Sequence, residues 1–181
     1  MASKIKVDQL ETADGTGTIA LQNQLSGMTT ASLPALGSAQ MPTGSVLQVV
    51  SVSSVTVISS SSSSWFDIGL SLSITPSSTS NKILLQFSVP AHQPTAGNHQ
   101  NITLFRGTHT GTNLGDGSHG FGANFSGSGN QVIIMSGNFL DSPSTTSAQT
   151  YTVAGRNNSG NSSTFIVDSA KGTLTAMEIA G

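Results

Sequence analysis

The sequence predicts an all-β protein with two parts. An extended N-terminal arm over residues 1–44 is followed by an antiparallel, jelly-roll-like β-sandwich over residues 45–181. Three observations predict it. Charged residues make up only 8 % of the 181, against about 25 % in an average soluble domain. Ser and Thr together supply about 29 % and glycine another 20 residues, and all three are poor helix formers, whereas Thr, Val and Ile suit a pleated strand. The apolar residues after position 45 fall into strand-length runs, and no 3.6-residue stripe of useful length occurs.

The arm comes first. Five of the fourteen charges stand in the first fourteen residues, at Lys4, Lys6, Asp8, Glu11 and Asp14. Ile5, Val7 and Leu10 make a short strand-like pattern, Asp14-Gly15-Thr16-Gly17 reads as a turn, and Thr18–Leu21 as another short strand. Ser26–Thr43 is rich in Ser, Thr, Ala, Gly and Pro without a period. Such a segment cannot bury enough surface to order itself alone. Lys4, Ile5, Val7 and Leu10 are therefore the expected docking residues of the arm.

The clearest strand of the sandwich lies in Trp65–Thr75, where Phe66, Ile68, Leu70, Leu72 and Ile74 alternate with small or polar residues. Strict period two places those five side chains on one face. Pro76–Asn81 reads as a turn, and Ile83, Leu85, Phe87 and Val89 alternate again. Two alternating runs across a short polar turn predict a hairpin. Further strands are expected at 46–52, 55–58, 101–106, 132–140, 150–155, 164–167 and 173–179. Val132–Met135 is apolar on both faces, which predicts a central strand or a subunit interface. Ser59–Ser64 reads as a hairpin tip or bulged edge, and residues 107–130 as one long glycine-rich loop.

The chemistry the chain can carry is narrow. A net charge of −2 and six scattered Lys and Arg residues exclude a phosphate-neutralising footprint, so nucleic acid is not an expected partner. The absence of cysteine excludes disulfides and thiolate ligands. Residues 1–7 are followed by Asp8, Gln9 and Glu11 rather than an apolar core, so no signal peptide is read here, and no stretch approaches the roughly 18 apolar residues of a membrane helix. Gly115-Asp116-Gly117-Ser118-His119-Gly120 matches G-x-G-x-x-G, but the Phe121–Asn130 stretch after it is glycine-rich and not helical, so no dinucleotide site is expected. Ser118, His119 and Asp116 are too close in sequence for a catalytic triad. Acids of the sandwich are limited to Asp67, Asp116, Asp141, Asp168 and Glu178, which argues against a glycosidase pair. The sequons at Asn101, Asn124, Asn157 and Asn161 read as coincidences of composition. No enzymatic activity, cofactor or metal site is expected. His92, His99, His109 and His119 are placed in loops, where a trimer axis would be needed to gather them around a metal. Phe121 and Phe125, flanked by glycines, are the strongest binding candidates, since a ring on a flexible loop can stack on a sugar or a protein. The alternative is that both rings pack on the sandwich. The candidate recognition loop thus comprises His99, His109, His119, Phe121 and Phe125.

Ser3–Thr12 followed by Asp14–Gly17 resembles the opening of tail-fibre and virion structural proteins of marine bacteriophages, including phages of cyanobacteria. Thr43–Val49, Leu70–Leu85 and the ending Leu174–Ala180 are similar to the same group. The resemblance covers both ends and the centre but not residues 90–130. It implies a homotrimer whose arm docks onto phage tail or capsid proteins and whose distal domain faces a glycan or protein of the host surface. It also implies a virion location after assembly in the cytoplasm of the bacterial host, with no membrane insertion. A short tail fibre is the first expectation, and a capsid decoration protein or head fibre the second.

Overall fold

Alternation passes directly from sequence to structure in the strand Phe66–Ile74, where Ile68, Leu70, Leu72 and Ile74 are buried and the residues between them exposed. The computed structural model describes residue 37 and residues 40–167 and 170–181. The arm residues Lys4, Ile5, Val7 and Leu10 lie outside this range, as does Asp168. The unit that carries the sandwich runs from Gly37 to Gly181. Gly44 donates its N–H to the Ala180 carbonyl at 2.8 Å, so the residues just before the first strand are tied to the last one.

Among the described residues eleven strands follow in chain order: β1 (Val46–Ser54), β2 (Ile58–Ser60), β3 (Phe66–Ile74), β4 (Lys82–Gln93), β5 (Asn98–Arg106), β6 (Thr112–Asn113), β7 (Gly122–Ser126), β8 (Gln131–Asp141), β9 (Gln149–Asn157), β10 (Ser163–Phe165) and β11 (Gly172–Ile179). The named strands pair antiparallel, and no α-helix occurs among the described residues. One sheet runs β1-β11-β4-β10-β2 with β8 on the other side of β4; the second runs β3-β9-β5-β6 with β7 also on β5. Inward residues of both sheets form one core, to which β3 gives Leu70, β4 gives Leu85, Phe87 and Val89, β5 gives Leu104 and β11 gives Leu174. The all-β antiparallel sandwich is as the sequence predicts.

Several details differ from expectation. β3 and β4 are not a hairpin: β3 pairs with β9, β4 with β11 and β8, and residues 75–81 cross between the sheets. Two strands that alternate with the same period can face each other across a core as well as pair within a sheet. Glu178 of β11 holds the crossover through Ser77 and Asn81. The strand expected at 55–58 begins only at Ile58 and takes in Ser59 and Ser60 of the serine run. The 107–130 segment contains β6 and β7 rather than a single loop. His92 lies in β4 and His99 in β5, not in loops. Val132–Met135 belongs to β8, which among the described residues pairs with β4 alone and so stands at an edge rather than in the centre.

The sandwich also shows how a chain with few ions covers itself. On the outer faces, hydroxyls pair across strands at Ser51–Thr175 (2.9 Å), Ser71–Thr152 (3.1 Å), Ser73–Thr150 (2.9 Å) and Ser59–Thr164 (2.9 Å). Cross-strand hydroxyl pairs of this kind stabilise a sheet without charge. In β3 the ladder breaks between Asp67 and Leu70. Gly69 there has φ +78° and donates its N–H to Asp67 Oδ1 at 2.7 Å. A bulge at this turn of backbone requires glycine.

Candidate recognition surface

The predicted recognition residues separate into one that closes the core and others that stay at the surface. Loop 114–121 fills the edge of β5 between β6 and β7. Its backbone is pinned by Leu114 N–H to the Leu104 carbonyl (2.9 Å) and Phe121 N–H to the Ile102 carbonyl (2.8 Å). Asp116 organises its tip. Its Oδ1 accepts the N–H groups of Ser118 (2.7 Å) and His119 (2.9 Å), and these bonds from His119 and Ser118 hold the Asp116 carboxyl below its ordinary range. Asp116 and Gly120 also exchange both backbone bonds. The G-x-G-x-x-G match is therefore a closed turn that opens no helix, and its N–H groups are spent on Asp116 rather than offered to a phosphate.

Phe121 leaves that loop and turns inward. Its ring meets Phe87 and Phe139 edge-on at 5.9 and 5.8 Å, plugging the side of the sandwich. Packing is its role in this fold, and it is not a free stacking surface. Phe125, on β7, points the other way and is 56 % exposed. It sits opposite His99 on β5, with the rings 4.7 Å apart and tilted by 41°. His119 is exposed at the tip of the loop, and His109 is half-buried in the turn after β5. The structure thus brings His99 and Phe125 together and leaves His109 and His119 apart from each other. Among the described residues no three His, Asp or Glu side chains gather at metal-binding distance.

Sequence reasoning did not single out Trp65 and Arg156. The Trp65 ring meets the buried Phe105 edge-on at 6.2 Å, and the Arg156 guanidinium lies 4.8 Å above the Trp65 ring. The Arg156 guanidinium also donates to the Ser118 carbonyl, tying loop 114–121 to β9. Arg156 pairs across the ladder with Asn101, and Asn101 with Ala123, so this cluster adjoins the His99–Phe125 pair on the outer face of the same sheet. The visible signal was the single tryptophan at the start of the best alternating run; nothing in the sequence joins it to Arg156.

The two most buried acids among the described residues serve the fold. Asp141, at the end of β8, accepts from Arg106 Nε (2.9 Å) and Nη2 (2.5 Å) on β5 and from the Tyr151 hydroxyl (2.6 Å) on β9. One carboxylate thereby staples the two sheets. The hydrogen bond to Asp141 raises the Arg106 pKa, while burial, with the bond to Asp141 behind it, pushes the Tyr151 hydroxyl up. Glu178, on β11, accepts from Gln48 Nε2 (2.6 Å), Ser77 N–H (2.6 Å), Ser77 Oγ (2.8 Å) and Asn81 Nδ2 (2.6 Å). Burial alone would raise its pKa, but the donors from Asn81, Gln48 and Ser77 outweigh it and hold the carboxyl below its ordinary value. Because each carboxylate is saturated by structural donors, neither is poised as an acid, base or nucleophile.

The fold and this surface define a β-sandwich with a polar, largely uncharged exterior. No protein-family model and no curated protein matches the chain. Among solved structures it is similar to the capsid chain of T=1 particles derived from infectious bursal virus, at 14 % identity and a TM-score of 0.51, over 82 % of this chain and 36 % of that one. The VP2 subviral particle of infectious bursal disease virus also matches, at 14 % identity and a TM-score of 0.47, over 82 % of this chain and 38 % of that one. The chain thus spans little more than a third of the length of these capsid chains, and the first likeness is one of fold.

Proposed function

We propose that this chain is a structural protein of a bacteriophage particle: a short trimeric tail fibre that docks through residues 1–44 and presents the sandwich to the host surface. The observation that carries this reading is the sandwich itself, whose architecture is shared with a viral capsid chain. Its most buried acids are consumed in structural bonds. The resemblance of the N-terminal segment and the C-terminal ending to phage virion proteins supports the phage assignment. His99 and Phe125 are the contact residues on this reading, because an exposed ring backed by a second ring offers a rigid stacking face for a glycan or a protein. No catalysis is assigned to the protein, and assembly takes place in the cytoplasm of the bacterial host.

A capsid decoration protein or head fibre is the second reading, favoured by the capsid origin of the similar fold. Imaging of intact particles with the chain labelled separates the two: a few trimers at the tail support the fibre, and tens of copies on the shell support decoration. Absence from the particle overturns both. Deleting residues 2–24 tests the arm. Particles should then lack the protein while the sandwich remains soluble and folded; incorporation of the truncated chain would refute the docking role.

A further inference from the structure

β8 is an unusual edge. It runs eleven residues, Gln131–Asp141, in unbroken register with β4, and among the described residues nothing pairs with its other side. Natural edge strands are blunted by shortness, bulges, proline or charge, because a free row of N–H and C=O groups templates another strand. β8 has none of these from Gln131 to Leu140. Its outward side chains include Val132, Ile134 and Leu140, which are 53, 61 and 47 % exposed. Leu140 begins an apolar row that continues through Leu84 and Met177 to Val49 across the outer face. Beside the edge, a groove of about 220 Å³ opens between β7 and β8, lined by Ile102, Gly122, Ile133 and Met135.

We propose that the free edge of β8 pairs antiparallel with β8 of a second copy of this chain, about a two-fold axis at Ser136. Two features select a second copy. The strand carries no charge before Asp141, so pairing two copies brings no like charges together along it. The strand is also complementary to itself. Full-length antiparallel overlap sets Val132 opposite Leu140, Ile133 opposite Phe139 and Met135 opposite Gly137. The large apolar inward residues therefore meet apolar or small ones and Val132 meets Leu140, while Ile134 stands opposite Asn138 and Gln131 opposite Asp141. Gly137 matters here, because its Cα lies beneath the Phe87 ring, where a Cβ would come within 2.8 Å. It stays small and leaves room for the opposing methionine. The inference goes beyond the fibre reading and does not depend on it, since a two-fold contact joins two chains or two trimers alike.

Light scattering of the full-length protein at micromolar concentration tests it, with thermal melting as the check on folding. The wild type is expected as two or six copies. V132K/L140K places like charges opposite each other across the axis and should halve the mass while the protein still unfolds in one cooperative transition. V132K/L140E places opposite charges there and should restore the wild-type mass. A wild type of one or three copies, or a V132K/L140K mass equal to wild type, overturns the pairing. Three copies in every variant would overturn the pairing alone and keep the trimer, whereas two copies that fall to one would support the pairing and refute the trimer.

Discussion

The two ends of the sandwich interior are built from different chemistry. Along β4 the inward residues run Ile83, Leu85, Phe87, Val89, Ala91 and then Gln93; along β5, read the other way, Leu104 and Ile102 give way to Gln100 and Asn98. Asn124 and Ser126 on β7, Asn157 on β9 and Ser163 on β10 complete the polar end, and all of them are buried. Part of this end is bonded: Gln100 Nε2 donates to the Thr164 carbonyl at 3.0 Å, and Asn157 Nδ2 to Ser163 Oγ at 2.7 Å. Both amide atoms of Gln93 and of Asn98 have no protein partner among the described residues. Burying an unpaired polar group costs about 1–3 kcal/mol, so the stability of the domain is concentrated at the apolar end and in the two carboxylate networks. The sandwich can be polar along part of its interior because its other end buries a continuous apolar cluster, closed by the Arg106–Asp141–Tyr151 network.

The sharpest way to break this comparison is at the apolar end. Leu85→Ala should cost about 3–5 kcal/mol by the combined transfer and cavity effects, read by urea denaturation; a loss under about 1 kcal/mol would show that the apolar end does not carry the fold. Asp141→Ala removes the staple between the sheets and leaves Tyr151 unpaired. Arg106 is 31 % exposed and screened by water, so the expected loss in the same assay is smaller, about 2–3 kcal/mol.

Acid should weaken the second network. Glu178 is held below the ordinary value of 4.5, so its ionised form is favoured in the fold. Its contribution is complete above that value and disappears as pH falls through the lower folded value. The melting temperature should drop through this acid window, and Glu178→Gln should flatten the dependence while lowering stability at neutral pH. An unchanged acid profile in that variant would place the effect elsewhere. The polar end should give the smallest response. Gln93→Met and Asn98→Leu keep shape while removing unpaired amide atoms, and each should change stability by at most about 1 kcal/mol in either direction. A loss as large as that of Leu85→Ala would mean that bound water satisfies these amides and that the two ends are equally important.

Much of the fold was legible because period two is a local property. Phe66–Ile74 and Lys82–Val89 alternate, and their inward residues are the ones the structure buries, with only Phe66 half-exposed. Partnering was not legible. The short polar segment 76–81 looks like a hairpin turn, yet its Ser77 and Asn81 bind Glu178, about a hundred residues away in sequence, and the strands it joins lie in different sheets. The candidate site divides in the same way. Phe121 and Phe125 are only four residues apart in one glycine-rich stretch, and sequence treats them alike. The structure turns one onto Phe87 and the other onto His99, because β7 begins between them.

By itself, then, the sequence determined that residues 45–181 are built on β structure, where the long alternating strands lie and which of their faces are buried. It also determined that the surface is covered by hydroxyls rather than ions. These properties arise from side-chain alternation and composition, which act over a few residues. Only the tertiary structure decided which strands pair, that β8 stands at an edge, and that Asp141 and Glu178 are structural. Those depend on contacts between residues far apart in the chain, and strand periodicity is the same for every partner a strand could have.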